Sequence, residues 1–403
     1  MSRELRNYRM AGIYIHIPFC RQACYYCNFH FTVNHKGKDA FINTLLKEIS
    51  LRKNYLENEK IETVYFGGGT PSLLSGDEVK KILDALHGEF EIETAAEVTL
   101  EANPDDLDKK KISELKTTSI NRFSIGVQSF HDDDLKYLHR AHNAQQADYS
   151  IKLAQDAGFE NITIDLIYGI PEAGVRSKMR DERYKIQDTK TECRKFQANL
   201  EKLLQLSIPH FSAYCLTVES RTALEKFIRE KKLPDVDNSN AAHQFELLMD
   251  FAEKNDYEHY EISNFCKPKR HSKHNTSYWT GKKYLGLGPS AHSFDGASRQ
   301  WNIANNTLYV QSLEKGELNF EKETLTPCNR FNEYVMTSLR TKWGIDTNYL
   351  KANFDSSTVT RFENDAQKFF SRDELISENG KFFLTRKGKL LADKIISALF
   401  ETE

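Results

Sequence analysis

Apolar residues recur along the first half of the chain in two alternating rhythms. Short runs rich in Ile, Val and Phe stand at residues 13–17, 63–66, 97–102, 122–127, 161–167 and 210–216. Their length, β-branched content and flanking turn residues predict strands. Between them apolar positions fall at helical spacing, as at Ile42, Leu45, Leu46 and Ile49 within 39–58, and further helices are expected over 78–90, 106–116 and 145–157. Strands alternating with helices are the signature of βα units around a parallel sheet. Six strands are too few to close an eight-fold barrel, so the pattern predicts an α/β fold built as an open, partial (β/α)6 barrel.

Residues 175–195 break the rhythm, with eight basic residues (Arg176, Lys178, Arg180, Arg183, Lys185, Lys190, Arg194, Lys195) against four acidic ones. With so few large hydrophobes the stretch buries little, and it reads as an exposed insertion between the fifth and sixth strands. A polar connector at 234–240 precedes a helix over 241–254 and a Gly-, His- and aromatic-rich region at 257–306. From Arg330 the order is helix, helix, helix, hairpin, helix. The hairpin is marked by Asn379-Gly380 between apolar runs, and the last helix is expected over 385–400. Such a small α+β unit resembles a winged helix. The expected organisation is a core unit at 1–235, a linker and aromatic region packing on it at 236–329, and a C-terminal unit at 330–403.

Charge and composition narrow the function classes. Lys and Arg number 56 against 58 Asp and Glu, a formal net charge of −2, without the basic excess of a phosphate-tracking nucleic-acid binder. No run of about 18 apolar residues occurs, and no apolar segment follows the polar first nine residues, so neither a membrane span nor a secretory signal is expected. Seven cysteines, three of them crowded at Cys20, Cys24 and Cys27, do not form a disulfide framework. They read as metal-binding thiolates in a reduced, cytoplasmic protein.

Those three cysteines follow directly on the first strand. Thiolates spaced four and three residues apart can hold one face of a [4Fe–4S] cluster and leave its fourth iron open. A zinc tetrahedron completed by His16 or His30 is the alternative that spacing alone leaves standing. The other strand ends carry matching chemistry. Gly67-Gly68-Gly69-Thr70-Pro71 follows the second, Glu101 ends the third, Gly126-Val127-Gln128-Ser129 the fourth, and Asp165 precedes Tyr168-Gly169-Ile170-Pro171 on the fifth. Parallel α/β folds place ligands at the carboxyl ends of their strands.

Tyr14-Ile15-His16-Ile17-Pro18-Phe19-Cys20, the cysteine triad and the Gly67–Pro71 turn together resemble radical S-adenosylmethionine proteins, within them the coproporphyrinogen dehydrogenase and HemW heme-chaperone branch. The resemblance implies a radical S-adenosylmethionine core with Cys20, Cys24 and Cys27 on a [4Fe–4S] cluster. It implies S-adenosylmethionine contacts from Tyr14, the backbone at Tyr26, Gly68, Gly69, Thr70, Glu101, Gln128, Arg140 and Asp165. Arg140 suits a carboxylate as a permanent cation, and Glu101 and Asp165 can accept from hydroxyl or ammonium donors. The basic insertion departs from the family pattern.

Two activities of different classes lie within that branch. One is oxygen-independent coproporphyrinogen III dehydrogenase, which oxidatively decarboxylates two propionates. The other is a chaperone that binds heme and hands it to an acceptor protein, a membrane-associated one included. The enzyme is expected to carry a fourth cysteine just after the triad, where Asn28-Phe29 stand here, and a long N-terminal arm, where only about a dozen residues precede the first strand. His274-Asn275-Thr276-Ser277-Tyr278-Trp279 resembles the His-Asn-x-x-Tyr-Trp signature of the chaperones. An imidazole can ligate heme iron, and Tyr and Trp faces can stack on a porphyrin. His271 and His292 are alternative ligands, and a Trp/Tyr core cluster is the plainer reading of the same residues. The expectation is therefore a heme chaperone with no nucleic-acid partner, its oligomeric state, homodimer included, left open.

Overall fold

The computed structural model describes residues 10–171 and 193–402. Six strands, β1 (Met10–Ile17), β2 (Lys60–Gly68), β3 (Ile92–Ala102), β4 (Arg122–Gln128), β5 (Ile162–Tyr168) and β6 (His210–Cys215), lie side by side in that order, each parallel to the next. The crossover helices Lys38–Leu51, Gly76–Glu89, Lys109–Lys116, Ala144–Asp156 and Arg194–Gln205 pack on one face. Local chemistry starts several of them: Ser75 with Glu78 and Asn143 with Gln146 form reciprocal capping boxes.

The sheet does not stop at six strands. Residues 236–329, expected as a linker and packing region, supply both of its flanks. β7 (Glu258–Glu261) and β8 (Asn264–Cys266) add to β6, while β9 (Tyr284–Leu287), β10 (His292–Phe294), β11 (Ser298–Asn302) and β12 (Phe320–Thr324) extend from β1. β9 runs parallel to β1, making seven parallel strands in a row, and the outer strands are antiparallel.

Within the barrel strands, side chains alternate. Ile13, Ile15 and Ile17, Val64 and Phe66, Val98 and Leu100, Phe123 and Ile125, Ile162 and Ile164, and Phe211 point to the helices and share one core. The residues between them are polar or glycine: Gly12, Tyr14 and His16, Thr63, Tyr65 and Gly67, Glu97, Thr99 and Glu101, Arg122, Ser124 and Gly126, Thr163 and Asp165, His210 and Ser212. A parallel sheet covered on both faces is normally apolar on both. Here one face lines a polar interior.

The lower end of that interior, at the strand starts, is plugged by the segment from Tyr260 to His274. Arg122 donates to Asn161 and Thr163. His210 contacts Thr163 Oγ1 at 3.1 Å and Tyr260 Oη at 2.7 Å. The His274 backbone N–H donates to Glu97 Oε1 at 3.1 Å.

The C-terminal unit has its own core around Phe331, Leu339, Phe362 and Ile395, and a small sheet in the order β13 (Ile345–Asp346), β15 (Lys381–Leu384), β14 (Leu375–Glu378). Asn379 and Gly380 both have positive φ (50° and 74°), the backbone of the hairpin turn that Asn-Gly predicts. The single last helix expected from the pattern is two, Arg386–Lys389 and Ala392–Ser397. Of the basic insertion, residues 175–192 lie outside the described residues. Arg194 and Lys195 already belong to a helix, and Lys195 pairs with Asp133 and, at 3.1 Å, with Asp134.

One buried charge network fastens the β9–β12 flank to the first crossover helix. Glu48, 1% exposed, accepts from Gly288 N (2.8 Å), Asn302 Nδ2 (2.7 Å) and Tyr309 Oη (2.6 Å). Arg52 donates to Gln300 and Asn302, both at 2.8 Å. Removing one member strands its partners without water. Glu48→Ala is therefore expected to cost about 3–5 kcal/mol in urea unfolding. A loss below about 1 kcal/mol, the range of exposed pairs, would contradict this account.

Candidate functional site

The cysteine loop hangs from the carboxyl end of β1 and is held there from several sides. Phe19 anchors its start, edge-on to Phe41 at 5.3 Å. The glycine turn after β2 then zips onto it: Gly69 N–H donates to Ile17 O (2.8 Å) and Thr70 N–H to Phe19 O (2.7 Å). A Cβ at Gly69 would lie 2.7 Å from Phe19 O, and Gly68, at φ 105°, passes the His16 ring too closely for any side chain. These amides hold protein backbone, so their first role is to position the loop. The far side is fixed by residues that the sequence did not single out. Arg21 pairs with Asp106 at 2.6 Å, Gln22 donates to His139 O (2.8 Å), and His139 Nδ1 meets Ala23 O (2.8 Å). The His139 ring stacks on Tyr25 with centroids 4.3 Å apart.

Arg140 joins this loop to the strand ends. Its Nη1 lies 3.4 Å from Cys24 Sγ and 3.4 Å from Tyr26 Oη, and its Nη2 donates to Asn103 Oδ1 (2.5 Å) and Gly126 O (2.8 Å). Asn103 in turn donates to Thr70 Oγ1, whose hydroxyl reaches Cys20 Sγ at 3.4 Å. Arg140 Nε is buried with no hydrogen-bond partner. A buried, permanently charged donor without an acceptor is costly, and an anionic ligand would satisfy it.

The three thiols are free. Burial first, then the nearby Cys27 and Cys24 thiols, pushes Cys20 up to about 11, and burial likewise raises Cys27. Such thiols lose their protons at neutral pH only to a metal, and zinc and an iron–sulfur cluster both serve. Of the imidazoles that could complete a zinc site, His16 is engaged through both ring nitrogens and His30 through Nε2. His16 contacts Tyr14 Oη (3.2 Å) and His30 O (2.9 Å), and His30 contacts Asn306 Oδ1 (2.7 Å). Among the described residues no three His, Cys, Asp or Glu side chains converge on one metal ion.

Within the barrel, near the carboxyl ends of β3 and β5, the inner face presents two carboxylates. Glu101 accepts from Tyr65 Oη (2.8 Å) and Gly68 N (3.2 Å), and burial with nearby Asp165 pushes it up to about 7. Asp165 accepts from Ser124 Oγ (3.2 Å) and is pushed up to about 6 by burial. Gln128 closes β4 in a left-handed conformation, φ 65°. Tyr65, Ser124 and Ser212 also line this face. The period-2 alternation of the strands was the signal that could have found them.

His274 lies lower and inside, 1% exposed. Its Nδ1 meets Thr63 Oγ1 and its Nε2 meets Tyr278 Oη, both at 2.8 Å, and its ring stacks on Tyr65 at 4.8 Å. Trp279 points away from the site, under the Arg340 guanidinium of the C-terminal unit at 5.6 Å. His271 is tied to Glu258 at 3.1 Å. His292 is exposed on β10, stacked on Trp301 at 6.0 Å.

A parallel partial barrel bearing a thiol triad and a buried arginine at its strand ends defines a radical S-adenosylmethionine protein, and the model of the radical SAM superfamily matches residues 14–176, with that of the HemN C-terminal domain at 325–391. The chain is 33% identical over 385 residues to the heme chaperone HemW of Lactococcus lactis, covering 95% of each. It is 29% identical to that of Bacillus subtilis, covering 96% of this chain and 99% of the relative. The structure of coproporphyrinogen III oxidase (HemN) from Escherichia coli superposes with a TM-score of 0.80 at 20% identity, covering 98% of this chain and 92% of that one, which establishes the shared fold. The chain belongs to the HemW family of heme chaperones. Membership in the superfamily implies a [4Fe–4S] cluster and S-adenosylmethionine as cofactors, and the thiols and Arg140 fit them.

Two outcomes follow from this geometry. Cys20→Ala is expected to abolish the cluster, read as loss of about four iron and four sulfide per chain, without unfolding a barrel held by burial elsewhere. Stoichiometric zinc in the unaltered, anaerobically purified protein would refute the assignment. Acid should destabilise the fold. Burial lowers His16 to about 4, His142 and His274 to about 3, and His210 well below its ordinary value. The unfolded chain protonates these imidazoles below about pH 6.5, whereas the folded chain resists, so stability present above that pH is lost as it falls. Glu48, Glu101, Asp105 and Asp165, raised on folding, act in the opposite direction but are outnumbered once His259, lowered to about 3, and the lowered His271 and His292 are counted. The melting temperature is expected to be lower at pH 5 than at pH 7.5, and a higher one would contradict the buried neutral imidazoles.

Proposed function

We propose that this chain binds heme beside its cluster and S-adenosylmethionine, and passes the heme to an acceptor protein without decarboxylating coproporphyrinogen. The observation that carries the reading is Phe29. It stands where the enzyme would place a further thiol, and its side chain is 70% exposed beside Cys27. Relatives named heme chaperones, matched over nearly the whole chain, support it. Cys20, Cys24 and Cys27 hold the cluster. Arg140, with its unpaired Nε, holds the carboxylate of S-adenosylmethionine, and Glu101 and Asp165 receive its ammonium or hydroxyl donors. Tyr14, Tyr26, Gly68, Gly69, Thr70 and Gln128 shape that site around the cysteine loop. A cytoplasmic location agrees with seven cysteines, none in a disulfide. No helix among the described residues is long and apolar enough to cross a membrane.

The heme ligand we assign is His292. Of the three imidazoles the sequence offered, it is the one whose ring meets neither a hydroxyl nor a carboxylate among the described residues; it is exposed on β10 and partly covered by the Trp301 indole. Burial and nearby Arg299 lower its affinity for protons, which keeps the nitrogen lone pair available to iron. His274 would have to surrender its bond to Tyr278 first.

Heme added to the purified protein should give a Soret band that His292→Ala weakens or shifts. A band altered by His274→Ala and unmoved by His292→Ala would reassign the ligand. Anaerobic incubation with coproporphyrinogen, S-adenosylmethionine and a reductant should yield no protoporphyrinogen. Catalytic turnover in that assay would replace the chaperone reading with the dehydrogenase.

A further inference from the structure

A cavity lined by none of the cysteine-loop residues lies in the seam where the C-terminal unit meets the β7 edge of the large sheet. The seam is built from backbone bonds. Ile262 N–H donates to Arg340 O and Lys342 N–H to Tyr260 O, both at 3.0 Å, and Glu261 bridges Thr341. Between them opens a space of about 180 Å³. An engineered apolar cavity of about 150 Å³ admits benzene, so this one has room for six or so non-hydrogen atoms.

Its lining is of two kinds. Ile262, Leu339, Phe383 and Leu384 form apolar walls, and charged groups stand among them. Two of the cations are already neutralised. Arg340 pairs with Glu261 (3.2 Å) and Asp393 (2.8 Å), and Lys342 pairs with Glu258. Glu261 is also satisfied, since its other oxygen accepts from Ser263 N and Asn264 Nδ2. Lys389 differs. Its Nζ donates to His259 Nδ1 at 3.2 Å, a neutral acceptor because His259 Nε2 gives its proton to Ile262 O at 3.0 Å. No carboxylate among the described residues pairs with it.

The cavity therefore holds one unneutralised ammonium against an apolar wall. We infer that it binds a small monocarboxylate with a short apolar body, the carboxylate on Lys389 Nζ and the body against Ile262, Leu339, Phe383 and Leu384. Inorganic phosphate fits less well, since its polar oxygens would face the apolar walls without partners. Burial and nearby Arg386 lower Lys389 to about 8, the direction expected of an amine that lacks a counter-ion and that a bound anion would reverse. The site is independent of the heme reading and lies on different residues.

Butyrate, with six non-hydrogen atoms, is the probe. Calorimetric titration of the full chain should show saturable binding with a Kd in about the millimolar range, the affinity open to so small a ligand. n-Butylamine, equal in length and opposite in charge, should not bind. Lys389→Met keeps the apolar stem and should weaken butyrate by at least about tenfold, as expected for loss of a charged hydrogen bond, whereas Lys389→Arg should retain binding. Equal binding of butyrate and butylamine overturns the inference. So does butyrate binding unchanged in Lys389→Met, or no saturable heat up to about tenfold above the expected Kd. The butylamine comparison needs no variant, so it decides the matter even where Lys389→Met fails to fold.

Discussion

The whole molecule is organised by one requirement: the inward side chains of β1 to β6 are polar or glycine, and each must find a partner. A closed eight-fold barrel fills its interior with layers of branched apolar side chains. Here the interior holds Glu97, Arg122, Glu101 and Asp165, and leaving any of them unpaired would cost more than an ordinary hydrogen bond returns. The lower half is satisfied from within the chain at its charged groups and imidazoles, Thr99 Oγ1 alone of its inward side chains standing without a partner among the described residues. Tyr260, Ser272 and His274 reach in from a later segment and meet Glu97, His210 and Thr63. The upper half is satisfied only in part, since Arg140 keeps a buried donor without an acceptor. That difference separates a structural floor from a binding mouth.

The flanks follow from the same requirement. An open barrel has two sheet edges, and edges attract other chains. On one side β9 to β12 carry the sheet outward to a strand whose residues Glu321, Lys322 and Glu323 are all exposed and alternate in charge, which blunts it. On the other side β7 is covered by the Arg340–Lys342 segment of the C-terminal unit. That unit therefore serves the barrel as an edge cover, and its lack of a basic excess agrees with packing rather than DNA contact. Glu48 and Arg52 do comparable work inside, since a buried ion pair, its contact at 3.5 Å, binds the β9–β12 flank to the first crossover helix through Gln300, Asn302 and Tyr309.

The glycine turn has a structural task that its place at a strand end does not reveal. Gly67 to Gly69 stand at the carboxyl end of β2, where parallel α/β folds place ligands. In the fold, the closest approach is made by the cysteine loop itself, on carbonyls of Ile17 and Phe19. The His-Asn-x-x-Tyr-Trp run shows the converse. Its residues are neighbours in sequence, yet a single helical turn sends His274 into the floor of the barrel and Trp279 under Arg340 of another unit. Helical periodicity separates neighbours in sequence by facing them apart.

What the sequence by itself determined was local. The six strands, four of the five crossover helices, the Asn-Gly hairpin and the thiol triad are each set by spacing within a few residues. The first helix stops at Leu51 rather than 58, the third strand starts at Ile92 rather than 97, and the helix Arg194–Gln205 stands where none was expected. The triad and glycine turn also carried the superfamily, because a cluster with an open iron needs those ligands on one short loop. Tertiary structure alone decided the rest. Arg140 reaches Cys24 across 116 positions and His274 reaches Thr63 across 211. The β9–β12 flank meets Glu48 across 240 or more. No local propensity encodes such pairs. They exist because burying a polar group leaves it to find its partner wherever the fold brings one near.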